Sequence, residues 1–506
     1  MQQITTTKIT YKKASIALIL LSTFVRLFLA AKLEFGNDEV YYWLYAKYPD
    51  ISHFDHPPFI GFFIQFFTFN LFFDSELAIR LSAVIPASIN MFIIFLIAKN
   101  IKDERLGFLA VILYNLNIYG LVISGTFILP DSPLLLFWLL SFYFLMQALP
   151  LNPSKENRKK LLLAFVFIGC ALYSKYQAVF LLLGVVLYVV FINRKWLKER
   201  VFYLAFLFPT VAVALIFYWN FQNNFISYKF HNNRVALFSL SFNKDSFLQE
   251  LIGQCLYNNP YIFVLFIGML FAVLKKKFTV QKQILGLFFL FSLPLIFTTI
   301  YLSLYKSTLP HWSGVSYINI LPLLALYIHR KKNIIRNSLI GLLFLYIVLV
   351  FASFEINKGW FLPVEQNASK ELLGRKDPLM DIYGWKQASD KLSSYLENSG
   401  LKQLYIVCNK WYPAAHIDYY IARPNSMKVY VVGDLHKIHK YHWINNSLAN
   451  TKTQKEFLYI TDSRNYQHPA EVYTDKYKEY ELLKSFPITR NNKVVKWFFL
   501  YKLLKD

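Results

Sequence analysis

Nine side chains at or near the ends of apolar stretches are of the types that move protons or stabilise phosphate: Asp38, Glu39, Asp55, His56, Asp131, Lys175, His231, Lys306 and His311. Four of them fall in one stretch, "EFGNDEVYYWLYAKYPDISHFDHPPF" (34–59), directly after the first apolar run. A carboxylate at such a place serves as a general base once desolvation lifts its pKa. Two adjacent carboxylates facing one cavity push one of those pKa values higher still. Lysine and histidine supply the charge or N–H that a leaving anion needs. Asp131, in "GTFILPDSP" (125–133), has a second explanation, because an acid or Ser132 ahead of Pro133 is a common helix start. Asp50, His53, Asp55 and His56 include metal-binding types, but their spacing is not diagnostic and solvated charge explains them as well.

The elements that must position these groups follow from composition. Of 506 residues, 56% are hydrophobic and 19% aromatic, and apolar runs of membrane length recur along most of the chain. That pattern predicts an α-helical polytopic membrane protein. Eleven spans are read, near 14–33, 77–98, 107–123, 133–149, 161–173, 178–192, 201–218, 258–274, 283–302, 312–328 and 337–353. Lys12 and Lys13 precede the first, which resembles a signal peptide, but Arg26 interrupts it and ten further spans follow, so a retained helix is expected. The net charge of +24 does not indicate nucleic acid, because the basic residues concentrate in short loops such as "NPSKENRKK" (152–160), "NRKWLKER" (193–200) and "HRKKNIIR" (329–336). With the N-terminus cytoplasmic, every such loop is inside, and the acid-rich loop 34–76 is outside. Segment 161–192 would be about 48 Å long as one helix, so two short spans meeting at Lys175 on the outer side are preferred.

All nine polar residues then fall at outer membrane ends, where charges are costly unless they face a cavity or one another. The aromatic run Tyr41, Tyr42, Trp43, Tyr45 and Tyr48 reads as an interfacial belt. From 354 onward the composition becomes that of a soluble domain, with an amphipathic helix at 384–400 and strands at 402–409, 427–434 and 456–461. The domain division predicted is thus 1–353 in the membrane and an extracytoplasmic α/β domain at 354–506. Cys170, Cys255 and Cys408 imply neither a disulfide framework nor a metal site.

"NDEVYY", "HFDHPP", "LPDSPLLLFW", "YSKYQAVF" and "KSTLPHWSGVSYINILPLLA", in this order, resemble the polyprenyl-phosphate-dependent glycosyltransferases of the GT-C superfamily. The likeness is greatest to the bacterial protein O-mannosyltransferase-like and lipid A aminoarabinose transferase group. It implies an inverting enzyme of the bacterial inner membrane that takes a sugar from an undecaprenyl-phosphate donor at the outer face. The acceptor would be a lipid, glycan or protein. On this resemblance Asp38, Glu39 and Asp131 are the catalytic acids, and Lys175, with His56, His311 and Lys306, binds the donor phosphate. Asp55 and His231 match an acid and a histidine that meet at a metal, though the sequence itself requires no cofactor. The chain departs from the aminoarabinose transferases at Tyr41, where they carry Arg, and at His56, where they carry Lys. Both changes shift phosphate neutralisation onto Lys175 and the histidines. A secondary transporter would show an inverted repeat, and none is found. A ligase using diphosphate-linked oligosaccharides would be separated by its donor.

Overall fold

The computed structural model describes residues 10–235, 241–362, 368–448, 454–473 and 476–505. The chain divides into two compact units, Met1–Ala30 with Asp50–Ile347, and Ala31–Pro49 with Val348–Asp506.

The first unit is helical, and each of the eleven apolar segments read from the sequence overlaps a helix. Local chemistry sets many of the boundaries. Ser75, Asp103 and Ser154 each cap the helix that follows by accepting a backbone N–H, at Glu76–Ile101, Glu104–Leu116 and Lys155–Leu172. Six described helices are long and apolar enough to cross a membrane, from Tyr11–Lys32 to Ile334–Lys358. Lys244–Tyr257 and Pro260–Leu274 form a pair bent by 104°. The bend falls where Asn259 adopts φ +69° and its side chain accepts from the Tyr261 N–H, just ahead of Pro260. Glu104–Leu116, with 13 residues, is about 20 Å long and continues into a π-helical turn at Tyr119–Ile123. Segment 161–192 breaks at Tyr173–Lys175, where Lys175 is extended at φ −160°. Large apolar side chains cover the outer faces, among them Leu20, Phe24, Val211, Leu343 and Phe344.

The second unit holds a five-stranded sheet: β1 Tyr405–Cys408, β2 Val429–Val431, β3 Glu456–Asp462, β4 Glu479–Arg490 and β5 Lys493–Leu504. Its order is β2-β1-β3-β5-β4, with β1 parallel to both β2 and β3, and with β5 antiparallel to β3 and β4. The β4–β5 hairpin turns on Asn491 and Asn492, both at positive φ, as a tight hairpin with matching twist requires. The amphipathic helix Trp385–Ser399 starts after Gly384 at φ +91° and stops at Gly400 at φ +65°.

The helix Asn37–Lys47 also belongs to this unit, and it corrects the interfacial reading of the aromatics. Tyr41, Tyr42, Trp43 and Tyr45 are buried, with Tyr41 against Trp411 at 4.8 Å and Trp43 edge-on to Tyr419 at 5.2 Å. Burial on this scale contributes about 1.5–3 kcal/mol per large side chain.

Candidate functional site

Asp131 is the first residue of the helix Asp131–Ala148, yet it does not cap that helix. Its Oδ2 meets Lys175 Nζ at 2.7 Å, and its Oδ1 accepts a hydrogen bond from the Tyr119 hydroxyl at 2.9 Å. Asp131 and Lys175 are each only 2% exposed. The capping explanation therefore gives way to a buried ion pair, assembled from a helix start, a break between two helices and a π-helical turn. Such a pair is held because removing either member strands a charge in a dry interior.

His311 and His56 sense this pair electrostatically. His311 lies in the turn Pro310–Ser313, where desolvation pulls its pKa down to about 4, helped by Lys175 and opposed by Asp131. Desolvation likewise lowers His56 to about 3, with Asp55 opposing and Lys175 and His231 reinforcing the fall. Both rings are therefore neutral at pH 7.

The His56 turn is fixed from several sides. Tyr173 Oη donates to the Ile51 carbonyl at 2.5 Å, Ser227 Oγ to the His53 carbonyl at 3.3 Å, and Trp219 Nε1 to Asp50 Oδ2 at 2.9 Å. His231 Nε2 donates to the main-chain oxygen of Asp55 at 2.8 Å, and the Tyr176 ring packs edge-on against His231 at 5.1 Å. The His56 and His231 ring centroids are 6.3 Å apart. Among the described residues no group of three or more His, Cys, Asp or Glu converges to hold a metal. No step is assigned to a metal at Asp55 and His231.

Behind the His311 turn lies a buried network that the sequence did not reveal. Glu250 is fully buried, and it accepts from Thr308 Oγ1 at 2.7 Å and from Gln254 Nε2 at 2.8 Å. Gln254 Oε1 in turn accepts from the Tyr317 hydroxyl at 2.8 Å. Asn243 N–H donates to the Leu304 carbonyl at 2.7 Å, so the helix Lys244–Tyr257 holds the segment 304–313 at several points. Lys306, half-buried in that segment, has no hydrogen bond or ion pair to Asp131 or Lys175 among the described residues.

Asp38 and Glu39 open the helix Asn37–Lys47 in the second unit. Glu39 is buried, and its Oε2 accepts from the Gly36 N–H at 3.0 Å, closing the helix N-terminus. Asp38 is the exposed member of the two acids. Glu34, just upstream, accepts from the Trp385 and Lys386 N–H groups at 2.7 and 3.2 Å; desolvation lifts its pKa to about 7 against those bonds. Tyr119 and Glu250 carried no signal in the sequence beyond being polar atoms in apolar runs, whereas Glu34 was counted only as one acid of the outer loop.

The family model for dolichyl-phosphate-mannose-protein mannosyltransferases matches residues 55–219, which include Asp55, His56, Asp131 and Lys175. Among solved structures, ArnT from Cupriavidus metallidurans in the apo state is 12% identical, with 97% of this chain and 98% of that chain covered and a TM-score of 0.59. The same protein bound to undecaprenyl phosphate gives 12% identity, 96% and 97% coverage, and a TM-score of 0.62. The Archaeoglobus fulgidus oligosaccharyltransferase AglB, in complex with an inhibitory peptide and a dolichol-phosphate, gives 10% identity, 88% and 69% coverage, and a TM-score of 0.48. No curated protein matches the chain by sequence. Over residues 55–219 the chain matches that family model, and its fold resembles that of the two ArnT structures.

Proposed function

We propose that this protein is an inverting glycosyltransferase that moves a sugar from a polyprenyl-phosphate donor, undecaprenyl phosphate in a bacterium, to a lipid, glycan or protein acceptor. The observation that supports this most is the buried Lys175–Asp131 pair. At rest Asp131 neutralises the lysine. A donor phosphate arriving beside Lys175 shares that cation, and the N–H groups of His56 and His311, with Lys306, add to its hold. Charge that develops on the departing phosphate is met by a positive group already in place, which in comparable sites is worth about 10²–10³-fold in rate.

The reaction exchanges one C–O bond for another. The acceptor oxygen attacks the anomeric carbon on the face opposite the phosphate, the carbon–oxygen bond to phosphate breaks, and the phosphate leaves with the electron pair. Asp38, exposed in the first turn of its helix, takes the acceptor proton. Glu39, committed to its own helix terminus, acts by holding Asp38 in place. By this reading the eleven helical segments span the inner membrane with the N-terminus cytoplasmic, and the α/β unit is extracytoplasmic. The protein in nanodiscs, given a panel of undecaprenyl-phosphate sugars, is expected to release undecaprenyl phosphate in a sugar-dependent manner. Asp38→Asn and Lys175→Met should both abolish that release. Full activity in Asp38→Asn would remove it as the base, and no release from any donor with any acceptor would refute the transferase reading.

A further inference from the structure

The helix Ile334–Lys358 ends at a pocket made wholly by residues of the second unit. That helix is one of the six long and apolar enough to cross a membrane, so its last turn stands where an apolar layer gives way to water. Glu355 folds the chain back at this point, its carboxylate accepting the N–H groups of Trp360, Phe361 and Leu362 at 3.1, 2.7 and 2.8 Å. The fold-back sets Trp360 parallel to Phe354 at 6.5 Å and Phe361 against Phe351 at 6.1 Å. All four rings are exposed. A contiguous aromatic patch at the end of a membrane-length helix suits the boundary between acyl chains and headgroups, where tryptophan concentrates.

Trp360 also lines the pocket, and so joins this apolar edge to a polar chamber of about 480 Å³. One wall is the β4–β5 turn, and it is fixed in place. The Tyr383 hydroxyl donates to the Thr489 carbonyl at 2.7 Å, and Gln387 Oε1 accepts the Thr489 N–H at 2.7 Å. Arg490 is buried and committed, paired with Asp377 at 3.2 Å and donating to the Ile356 carbonyl at 3.4 Å. Lys358, Asn491 and Asn492 differ from it. They are exposed, and their side chains make no hydrogen bond or ion pair among the described residues. No acid is among the described lining residues, so the charge of Lys358 is unbalanced. One ammonium and two uncommitted carboxamides beside interfacial rings suit an anionic phosphodiester with one polar and one apolar substituent. The volume lies within the usual range of small-ligand sites, about 300–1,000 Å³, and admits a phosphate with a small polyol.

We propose that this pocket binds the headgroup of an anionic glycerophospholipid, whose acyl chains lie along Phe351, Phe354, Trp360 and Phe361. The site shares no residue with the transferase reading and stands or falls separately from it.

The test follows hydrogen–deuterium exchange of the full chain in nanodiscs of phosphatidylcholine, with and without phosphatidylglycerol. Exchange in segment 489–493 is expected to slow by roughly fivefold when phosphatidylglycerol is present. Lys358→Met, at an exposed position, should remove that slowing. Asn492→Gly keeps the positive φ of the turn while deleting the carboxamide, and should reduce it. Lys332→Met, exposed just before the other end of the helix, should retain it in full. Equal exchange in the two membranes, or slowing that survives both Lys358→Met and Asn492→Gly, overturns the inference. Loss of the slowing in Lys332→Met as well would show general surface charge at work and overturns it too. Glycerol phosphate added to pure phosphatidylcholine nanodiscs should change nothing; slowing by it would assign the pocket to a soluble phosphate and overturn the lipid.

Discussion

Replacing Lys175 by Met isolates the energetic role of the buried pair. Lys175 Nζ and Asp131 Oδ2 are 2.7 Å apart with both side chains 3% exposed, so water cannot replace the lost partner. Breaking a buried pair by deleting one member costs about 3–5 kcal/mol, because the survivor is left charged and desolvated. The Tyr119 hydroxyl still donates to Asp131, and a hydrogen bond to a charged group is worth about 1.5–3 kcal/mol. That bond is present before and after the change, so it does not offset the loss. The expected destabilisation is therefore about 3 kcal/mol or more. Lys175→Met/Asp131→Asn removes both charges and should recover most of it, to within about 2 kcal/mol of wild type. Unfolding free energies from denaturant titration in mixed micelles measure both values. A Lys175→Met cost below about 1 kcal/mol, or a double variant no better than the single, would refute the claim that charge compensation holds this pair together. Neither variant should release undecaprenyl phosphate, so stability recovers while activity does not.

Tyr119→Phe keeps the ring and deletes the hydroxyl on Asp131. The expected cost is about 1.5–3 kcal/mol of stability in the same titration, with Lys175 still in place. His56 and His311 have folded pKa values of about 3 and about 4, below the ordinary 6.5. Their contribution to stability is complete above pH 6.5 and is lost as pH falls through that value toward the folded ones, so unfolding free energy should decline from pH 7 to pH 4.5. His311→Gln should flatten part of that decline. Gly253→Ala places a Cβ 2.1 Å from Cγ of Pro310, beside His311, and so pushes on the turn that carries this ring. Overpacking of this kind costs about 1–3 kcal/mol and exceeds the gain of up to about 1 kcal/mol from replacing a helical glycine. A net loss of stability in micelles is the result expected.

Much of the helical unit was legible because apolar periodicity and capping residues mark helices directly. The break before Lys175 followed from length alone, as a 32-residue apolar segment is too long for one crossing. The three parallel strands were readable as short runs rich in β-branched and aromatic residues. The buried helix Asn37–Lys47 was not readable as core, because a helix covered on nearly every face shows no polar stripe and its aromatics look like a belt. The β4–β5 hairpin carries one local signal, the Asn491-Asn492 turn between two long runs with several apolar residues. For Asp131 the sequence left two explanations standing, and only side-chain geometry decides between them. Tyr119 and Glu250 depend on partners distant in the chain, which no local pattern encodes.

The second unit is assembled from two pieces of chain, Ala31–Pro49 and Val348–Asp506. About 300 residues separate them, so at 5–20 residues per second the ribosome makes the first piece roughly 15–60 s before the second begins to emerge. Throughout that interval the Asn37–Lys47 helix, whose aromatic side chains end up buried, has none of its partners, and Glu34 lacks the two N–H groups that it will accept. The nascent chain thus carries a sticky, unsatisfied segment while most of its membrane helices are being inserted. A chain truncated before Trp411 would lack the rings that Tyr41 and Trp43 pack against, Trp411 and Tyr419.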